Sequence, residues 1–400
     1  MIIPERHLKS KSKMLTFFSK NNKRIFLDYA STTPLDDKVK ESMREAENYF
    51  ANPSSLYKEG VEARSFLDDS RDMVAETLGC KAKEVIFTAS GTESCNLAVR
   101  GTVKDPRNDH MVTTTIEHPA ILESFKALEA VGLQVTYVDV DEDGIVPVQK
   151  ILDYIQPNTK LVSVMYVNNE IGTIQPIRDL GVELEKLRNR QGIAPYLHTD
   201  ASQAPCYLNV SPQSLKVDML TLDGSKMYGP KGSGLLFRRI GLDLDPIIYG
   251  GGQESGLRSG TEDNVRIRGI AKALQLASQL RASEYERVEE LSKELRRGVK
   301  ENIPSAVLNG SSKKRSPHIN NFCVPGTDSE FLVVRMDSLG CACSSSSACR
   351  SLKKGAGSHV LEAIGKKECA LSSLRLSLGR YSTISEVRCA CELLGKAVNS

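Results

Sequence analysis

This sequence predicts an α/β protein: a large first domain with a mainly parallel sheet, followed by a smaller α/β domain. From Arg24 to about residue 270, short apolar runs alternate with segments whose apolar residues return every three or four positions. The first pattern is that of buried strands and the second that of one-sided helices, and their alternation builds a parallel sheet covered on both faces. Length agrees, since 400 residues, 40% of them hydrophobic, can fill more than one core. Near Ser283 the texture shifts to a charged helix over 284–300, with Val288, Leu291, Leu295 and Val299 on one face. The chain thus divides into a basic N-terminal extension (1–23), a large domain (24–280) and a small C-terminal domain (281–400).

Taken in chain order, the extension sets Arg6, Lys9, Lys11, Lys13, Lys20 and Lys23 against Glu5. It has no apolar helical face, which favours a solvated tail over an organelle-targeting peptide. Strands are expected at 85–87, 111–112, 135–138, 161–167, 196–199 and 217–222. A helix is expected at 96–100. Another is expected where Ile121, Leu122, Phe125, Leu128 and Val131 share a face, with Pro119 at its first position. After the charged helix come a strand over 319–324, a helix over 328–336, a Ser/Cys loop and a closing helix over 385–398.

Fifty-three basic and 50 acidic residues leave a net charge of +3. That excludes a nucleic-acid-coating charge excess and argues against wholesale disorder. The longest apolar run, 161–167, is interrupted by Ser163 and falls far short of the ~20 residues of a bilayer span. The expectation is a cytoplasmic protein whose partner is a small molecule or a protein, with neither nucleic acid nor membrane. Ten cysteines in 400 residues are too few for a disulfide scaffold. Cys80, Cys95, Cys206, Cys323 and Cys369 stand singly among apolar neighbours and are expected as reduced core residues. Cys341-x-Cys343, Cys349 and Cys389-x-Cys391 lack the C-x2-C spacing of a zinc site, so no metal is expected. Packing is the expected role of Cys341 and Cys343.

Ligands of open α/β sheets gather at the carboxyl ends of the strands. The first such end opens into Thr88-Ala89-Ser90-Gly91-Thr92-Glu93-Ser94, small residues at a helix start whose free N–H groups suit a phosphate, although an ordinary capped helix reads the same way. The next carry Glu117-His118-Pro119, Asn168-Asn169-Glu170 and Asp200-Ala201-Ser202-Gln203. Singly, each is an ordinary cap or turn; together they would converge on one crevice. The last is Asp223-Gly224-Ser225-Lys226, where a lysine between a buried strand and a Gly/Pro-rich turn can be desolvated and made nucleophilic. An amine for a Schiff base, an acid for a pyridinium nitrogen and a loop for a phosphate are what pyridoxal 5'-phosphate requires.

Longer motifs extend the pattern over nearly all of 25–398. They are Leu27-Asp28-Tyr29-Ala30-Ser31-Thr32-Thr33-Pro34, Asn52-Pro53-Ser54-Ser55, Val167-Asn168-Asn169-Glu170-Ile171-Gly172 and Tyr228-Gly229-Pro230-Lys231-Gly232. Gly250-Gly251-Gly252-Gln253-Glu254, Arg258-Ser259-Gly260-Thr261, Ser347-Ala348-Cys349 and Arg375-Leu376-Ser377-Leu378-Gly379-Arg380 follow. With Glu117-His118 and Lys226, this set resembles the cysteine desulfurases of the class V aminotransferase group, fold-type I pyridoxal-phosphate enzymes whose large domain holds a mainly parallel seven-stranded sheet.

The resemblance implies that Lys226 binds the cofactor covalently, His118 stacks on its ring and moves protons, Asp200 pairs with the pyridine nitrogen, and Gln203 and Asn169 touch the ring side. Gly91, Thr92 and Ser225 would hold the phosphate, with Thr261 arriving from the second subunit of a homodimer. Arg375 would clamp the carboxylate of L-cysteine, and Cys349 would accept the sulfur as a persulfide. The product would be alanine, and the sulfur would pass to an acceptor protein, an iron-sulfur scaffold or a thiolation carrier. Three positions depart from the family: Ser225 stands where His is usual, Asp223 where a small hydroxyl residue is usual, and Ser346 where Gly is common. An acid at 223 disfavours a phosphate unless it points away or a donor intervenes. Rival readings are a selenocysteine lyase, another class V aminotransferase, or a noncatalytic sulfur-carrier subunit, the last expected to lack Lys226 or Cys349.

Overall fold

The computed structural model describes residues 24–192, 195–345 and 357–399. In chain order the helices are α1 (Asp37–Ala46), α2 (Lys58–Leu78), α3 (Gly91–Thr102), α4 (Pro119–Glu129), α5 (Val148–Asp153), α6 (Ile177–Gln191), α7 (Pro212–Leu215), α8 (Asn264–Asn302), α9 (Ser329–Ser338), α10 (His359–Ala363) and α11 (Ile384–Asn399). The strands are β1 (Ile25–Phe26), β2 (Val85–Thr88), β3 (His110–Thr114), β4 (Gln134–Val138), β5 (Thr159–Ser163), β6 (Tyr196–Asp200), β7 (Met219–Asp223), β8 (Gly234–Arg238), β9 (Val307–Leu308), β10 (Ile319–Cys323), β11 (Cys341–Ala342), β12 (Ser344–Ser345) and β13 (Ser373–Ser377).

Seven strands form the large sheet in the order β2-β8-β7-β6-β5-β3-β4. Pairing is parallel except at β8, which runs antiparallel to both β2 and β7. Alternate side chains along a strand face opposite ways, so neighbours in sequence enter different cores. Val112, Val162, Leu220 and Leu235 join one cluster, whereas Met111, Leu161, Met219 and Leu236 join the cluster under α3 and α4. Strand β8 is absent from the sequence reading because its apolar run is only Leu235-Leu236-Phe237 behind a Gly-rich turn. Strand β5 is shorter than expected, ending at Ser163, with 164–168 continuing as loop into the site.

A second sheet of four antiparallel strands, β12-β13-β10-β9, builds the smaller half, and β1 pairs with β11 beside it. The charged helix expected from residue 284 begins twenty residues earlier: α8 is one continuous helix through position 280, started by the Asp263 side chain accepting from Arg266 N–H. Its Val288, Leu291, Leu295 and Val299 are all buried, as the spacing predicts.

One cysteine expectation is overturned. Cys323, ending β10, and Cys369, in the turn before β13, are joined in a disulfide with Cα atoms 5.2 Å apart. Pairing of β10 with β13 brings together two residues that the sequence places 46 positions apart. Cys341 and Cys343 are buried in the main core, and burial pushes the Cys341 thiol up to about 12. No helix among the described residues is long and apolar enough to cross a membrane.

Candidate active site

The strand ends converge as the sequence predicts. Thr92, His118, Asn169, Asp200, Gln203, Asp223, Lys226 and Arg375 line one cavity of about 190 Å³. It opens at the carboxyl edge of the large sheet, where helix starts leave N–H groups without intrahelical partners.

His118 is held there by its own helix. It caps α4, and its Nδ1 accepts the Ala120 N–H at 3.1 Å, with Pro119 filling the first helical position where no N–H is needed. Nδ1 is thereby an acceptor, so the neutral ring carries its proton on Nε2. Burial is the largest influence on the ring and lowers its pKa, with Lys226 and Arg375 adding to the effect and Asp200 opposing it.

Asp200, at the end of β6, accepts the Ser202 N–H at 3.0 Å and the Ser202 hydroxyl at 2.6 Å on Oδ1. Gln203 is fixed at both ends. Its Nε2 donates to the Ala30 carbonyl at 2.9 Å, so its Oε1 accepts from His318 Nε2 at 3.1 Å. Burial drives His318 down to about 3, and its ring stacks on Tyr207, so this support is a neutral, rigid donor. One amide hydrogen of Gln203 remains for a ligand. The Lys226 amine donates to the carbonyl of Ser31.

Arg375 comes from β13 of the smaller sheet and is buried. Its Nη2 donates to Asp28 Oδ1 at 2.9 Å and Ser31 Oγ at 2.6 Å, and its Nη1 to the Asn169 carbonyl at 2.8 Å, while Nε is buried without a partner. Asp28 and Ser31 orient the guanidinium. Both stand in the first of the quoted motifs, yet composition and spacing give no reason to couple them to a residue some 345 positions on.

Two expected site residues stand apart from this cavity, and a third lies outside the described residues. Ser225 does not line the cavity; its N–H and hydroxyl donate to Asp223 Oδ1 at 2.8 and 2.6 Å. Thr261 lines a different cavity, beside Arg258 and Arg266. Cys349 lies outside the described residues, as does Ser346. The donor set otherwise suits pyridoxal phosphate: an amine, a carboxylate, a neutral imidazole, an amide with a spare hydrogen and a helix start. Glu117, to which the sequence assigns no role of its own, is fully buried next to His118, with Oε1 accepting from Met165 N–H and the Thr114 hydroxyl and Oε2 unpartnered.

The model of the class-V aminotransferase family matches residues 25–389. The chain belongs to that family. Over 378 residues it is 38% identical to cysteine desulfurase IscS of Dictyoglomus turgidum, covering 94% of each chain. Its fold matches a solved NifS-like protein with a TM-score of 0.87 at 31% identity, over 94% of this chain and 100% of the other. It also matches SspA in complex with cysteine, with a TM-score of 0.76 at 32% identity over 90% of this chain and 100% of that one. This class-V chain is an α/β enzyme with cysteine desulfurases among its relatives.

Proposed function

We propose that the protein is a cysteine desulfurase that takes sulfur from L-cysteine, releases alanine and holds the sulfur as a persulfide on Cys349. The observation that carries this reading is that Lys226 and Arg375, brought from different sheets, open into the same cavity. A carbonyl cofactor needs an amine to bind to, and an α-amino acid needs a guanidinium for its carboxylate.

In this reading Lys226 holds pyridoxal phosphate, Asp200 its pyridine nitrogen, Gln203 and Asn169 its ring substituents, and His118 its ring face. Thr92 and Gly91 take the phosphate, with Ser225 behind them and Thr261 supplied by a second copy in a homodimer. When bound, the group supplies an electron sink for the pair left on Cα of the amino acid.

The chain's own residues do the rest. Arg375, held by Asp28, Ser31 and the Asn169 carbonyl, orients the substrate carboxylate. The Lys226 amine takes the Cα proton. His118, neutral and protonated on Nε2, is placed to carry a proton to or from the reacting atoms. The Cys349 thiolate attacks the substrate sulfur: an S–S bond forms, the C–S bond breaks, and hydrogen replaces sulfur on Cβ, giving alanine. Cys349 persulfide is a transferable form of sulfur, which fits delivery to an acceptor protein in the cytoplasm, an iron-sulfur scaffold or a thiolation carrier.

The test is Lys226→Ala. The unmodified protein, loaded with pyridoxal phosphate, should be yellow and release alanine from cysteine; the variant should be colourless and inactive. A wild-type protein that takes up no pyridoxal phosphate would remove the reading.

A further inference from the structure

At the cofactor's phosphate end the cavity already contains an anion of the protein's own. Asp223 ends β7 and caps the turn Gly224–Lys226. Its Oδ1 accepts the Ser225 N–H at 2.8 Å and the Ser225 hydroxyl at 2.6 Å, and its Oδ2 accepts the Gly91 N–H at 3.1 Å. Gly91 opens α3, so the carboxylate lies against the positive end of that helix. The approach depends on Gly91 lacking a side chain, because a Cβ there would stand 3.0 Å from Asp223 Cβ and 3.1 Å from its Oδ2. Of the alternatives an acid at 223 could adopt, the carboxylate neither points away nor leaves the donors free. It faces them and uses them.

The surrounding charge does not compensate. Lining the cavity, Asp200 and Asp223 stand against Lys226 and Arg375, and Arg375 is already paired with Asp28. The nearby Arg258 is paired with Glu93. A phosphate dianion entering here therefore meets a like charge at close range and finds the Gly91 and Ser225 donors engaged.

We propose that Asp223 sets the strength with which this protein holds its cofactor: it is a resident anion that occupies the phosphate cup, orders it in the empty enzyme and weakens pyridoxal phosphate binding. The proposal rests on the cofactor reading above. It distinguishes two contributions of one side chain, the hydrogen bonds that join β7 to α3 and the negative charge that opposes a phosphate. Asp223→Asn keeps an acceptor of the same reach and removes the charge; Asp223→Ser removes the charge and leaves a shorter hydroxyl that can donate to a phosphate.

Cofactor-free full-length protein is titrated with pyridoxal phosphate and, separately, with unphosphorylated pyridoxal, with absorbance reporting uptake and circular dichroism confirming that each variant is folded. Both variants should bind pyridoxal phosphate roughly tenfold or more tightly than the wild type, while pyridoxal affinity stays within about twofold. Unchanged or weaker pyridoxal phosphate binding in the folded variants would overturn the proposal, as would equal tightening towards pyridoxal. If wild type and variants take up neither compound, the cofactor reading falls and the proposal falls with it.

Discussion

Glu117 is the residue whose environment has the clearest consequence for the folded state. Burial pushes its carboxyl from an ordinary 4.5 up to about 8, against the hydrogen bonds from Met165 and Thr114 and with a further push from Asp200. Because the fold holds this proton more tightly than the unfolded chain does, the contribution of Glu117 to stability falls as pH rises from about 4.5 to about 8 and is level above that. Glu117→Gln has nothing to ionise there, so its stability relative to wild type should rise across that window by up to about 1.4 kcal/mol per pH unit. Urea unfolding at a series of pH values measures this, and parallel profiles would contradict it. At Arg375 the expected effect is kinetic. Lysine cannot reproduce a planar fork that also reaches Asp28, Ser31 and the Asn169 carbonyl, so Arg375→Lys should lower kcat/KM for cysteine roughly ten- to hundredfold in the loaded enzyme. An unchanged kcat/KM would remove the carboxylate role. Residue by residue, the sequence reading points to groups such as Lys226, Asp200 and His118 because each lies at or just past the end of a recognisable strand. It does not identify their supports, because His318 and Asp28 reach the site only through tertiary contact.

At the scale of elements, local signals are strongest where one residue type serves one purpose. Pro119 marks the first residue of α4, and the three-and-four spacing of Val288, Leu291, Leu295 and Val299 marks the buried face of α8. The start of α8 is not visible from charge pattern, because its first half packs against α1 and α2 and is rich in small apolar residues rather than charges. Strand β8 is missed for a related reason: three apolar residues carry no period, and only pairing to β2 and β7 defines them. Helix α8 also joins the two halves, since its N-terminal turns lie on α1 and α2 and its C-terminal turns on α11. Leu295, with no exposed surface, belongs to the main core, and its carbonyl accepts from Cys391 of α11. Leu295→Ala should therefore cost about 2–5 kcal/mol of stability, read as a lower midpoint in thermal or urea unfolding. A loss below about 1 kcal/mol would show that this face is not packed as described.

For the whole molecule, the arrangement is a large sheet that presents His118, Asp200 and Lys226 at one edge and a smaller sheet that delivers Arg375 to the same cavity. The chain is interleaved to achieve this: β1 near the N-terminus pairs with β11, and Asp28 bridges to Ser377 before meeting Arg375. The Cys323–Cys369 disulfide ties the end of β10 to the turn before β13, the strand that carries Arg375. No linear reading of texture finds these connections, which is why the β1 crossover and the disulfide were not legible; the change of texture near residue 280 falls inside the continuous helix α8. Function enters at this scale as sulfur leaving one molecule and appearing on another. The most direct measurement incubates the cofactor-loaded protein with L-cysteine and follows alanine together with sulfur bound to the enzyme, located by peptide mass analysis. The account predicts alanine and persulfide sulfur in equal amounts in a single turnover, with the added sulfur on Cys349; cysteine consumed without alanine, or alanine formed with no sulfur on Cys349, would contradict it.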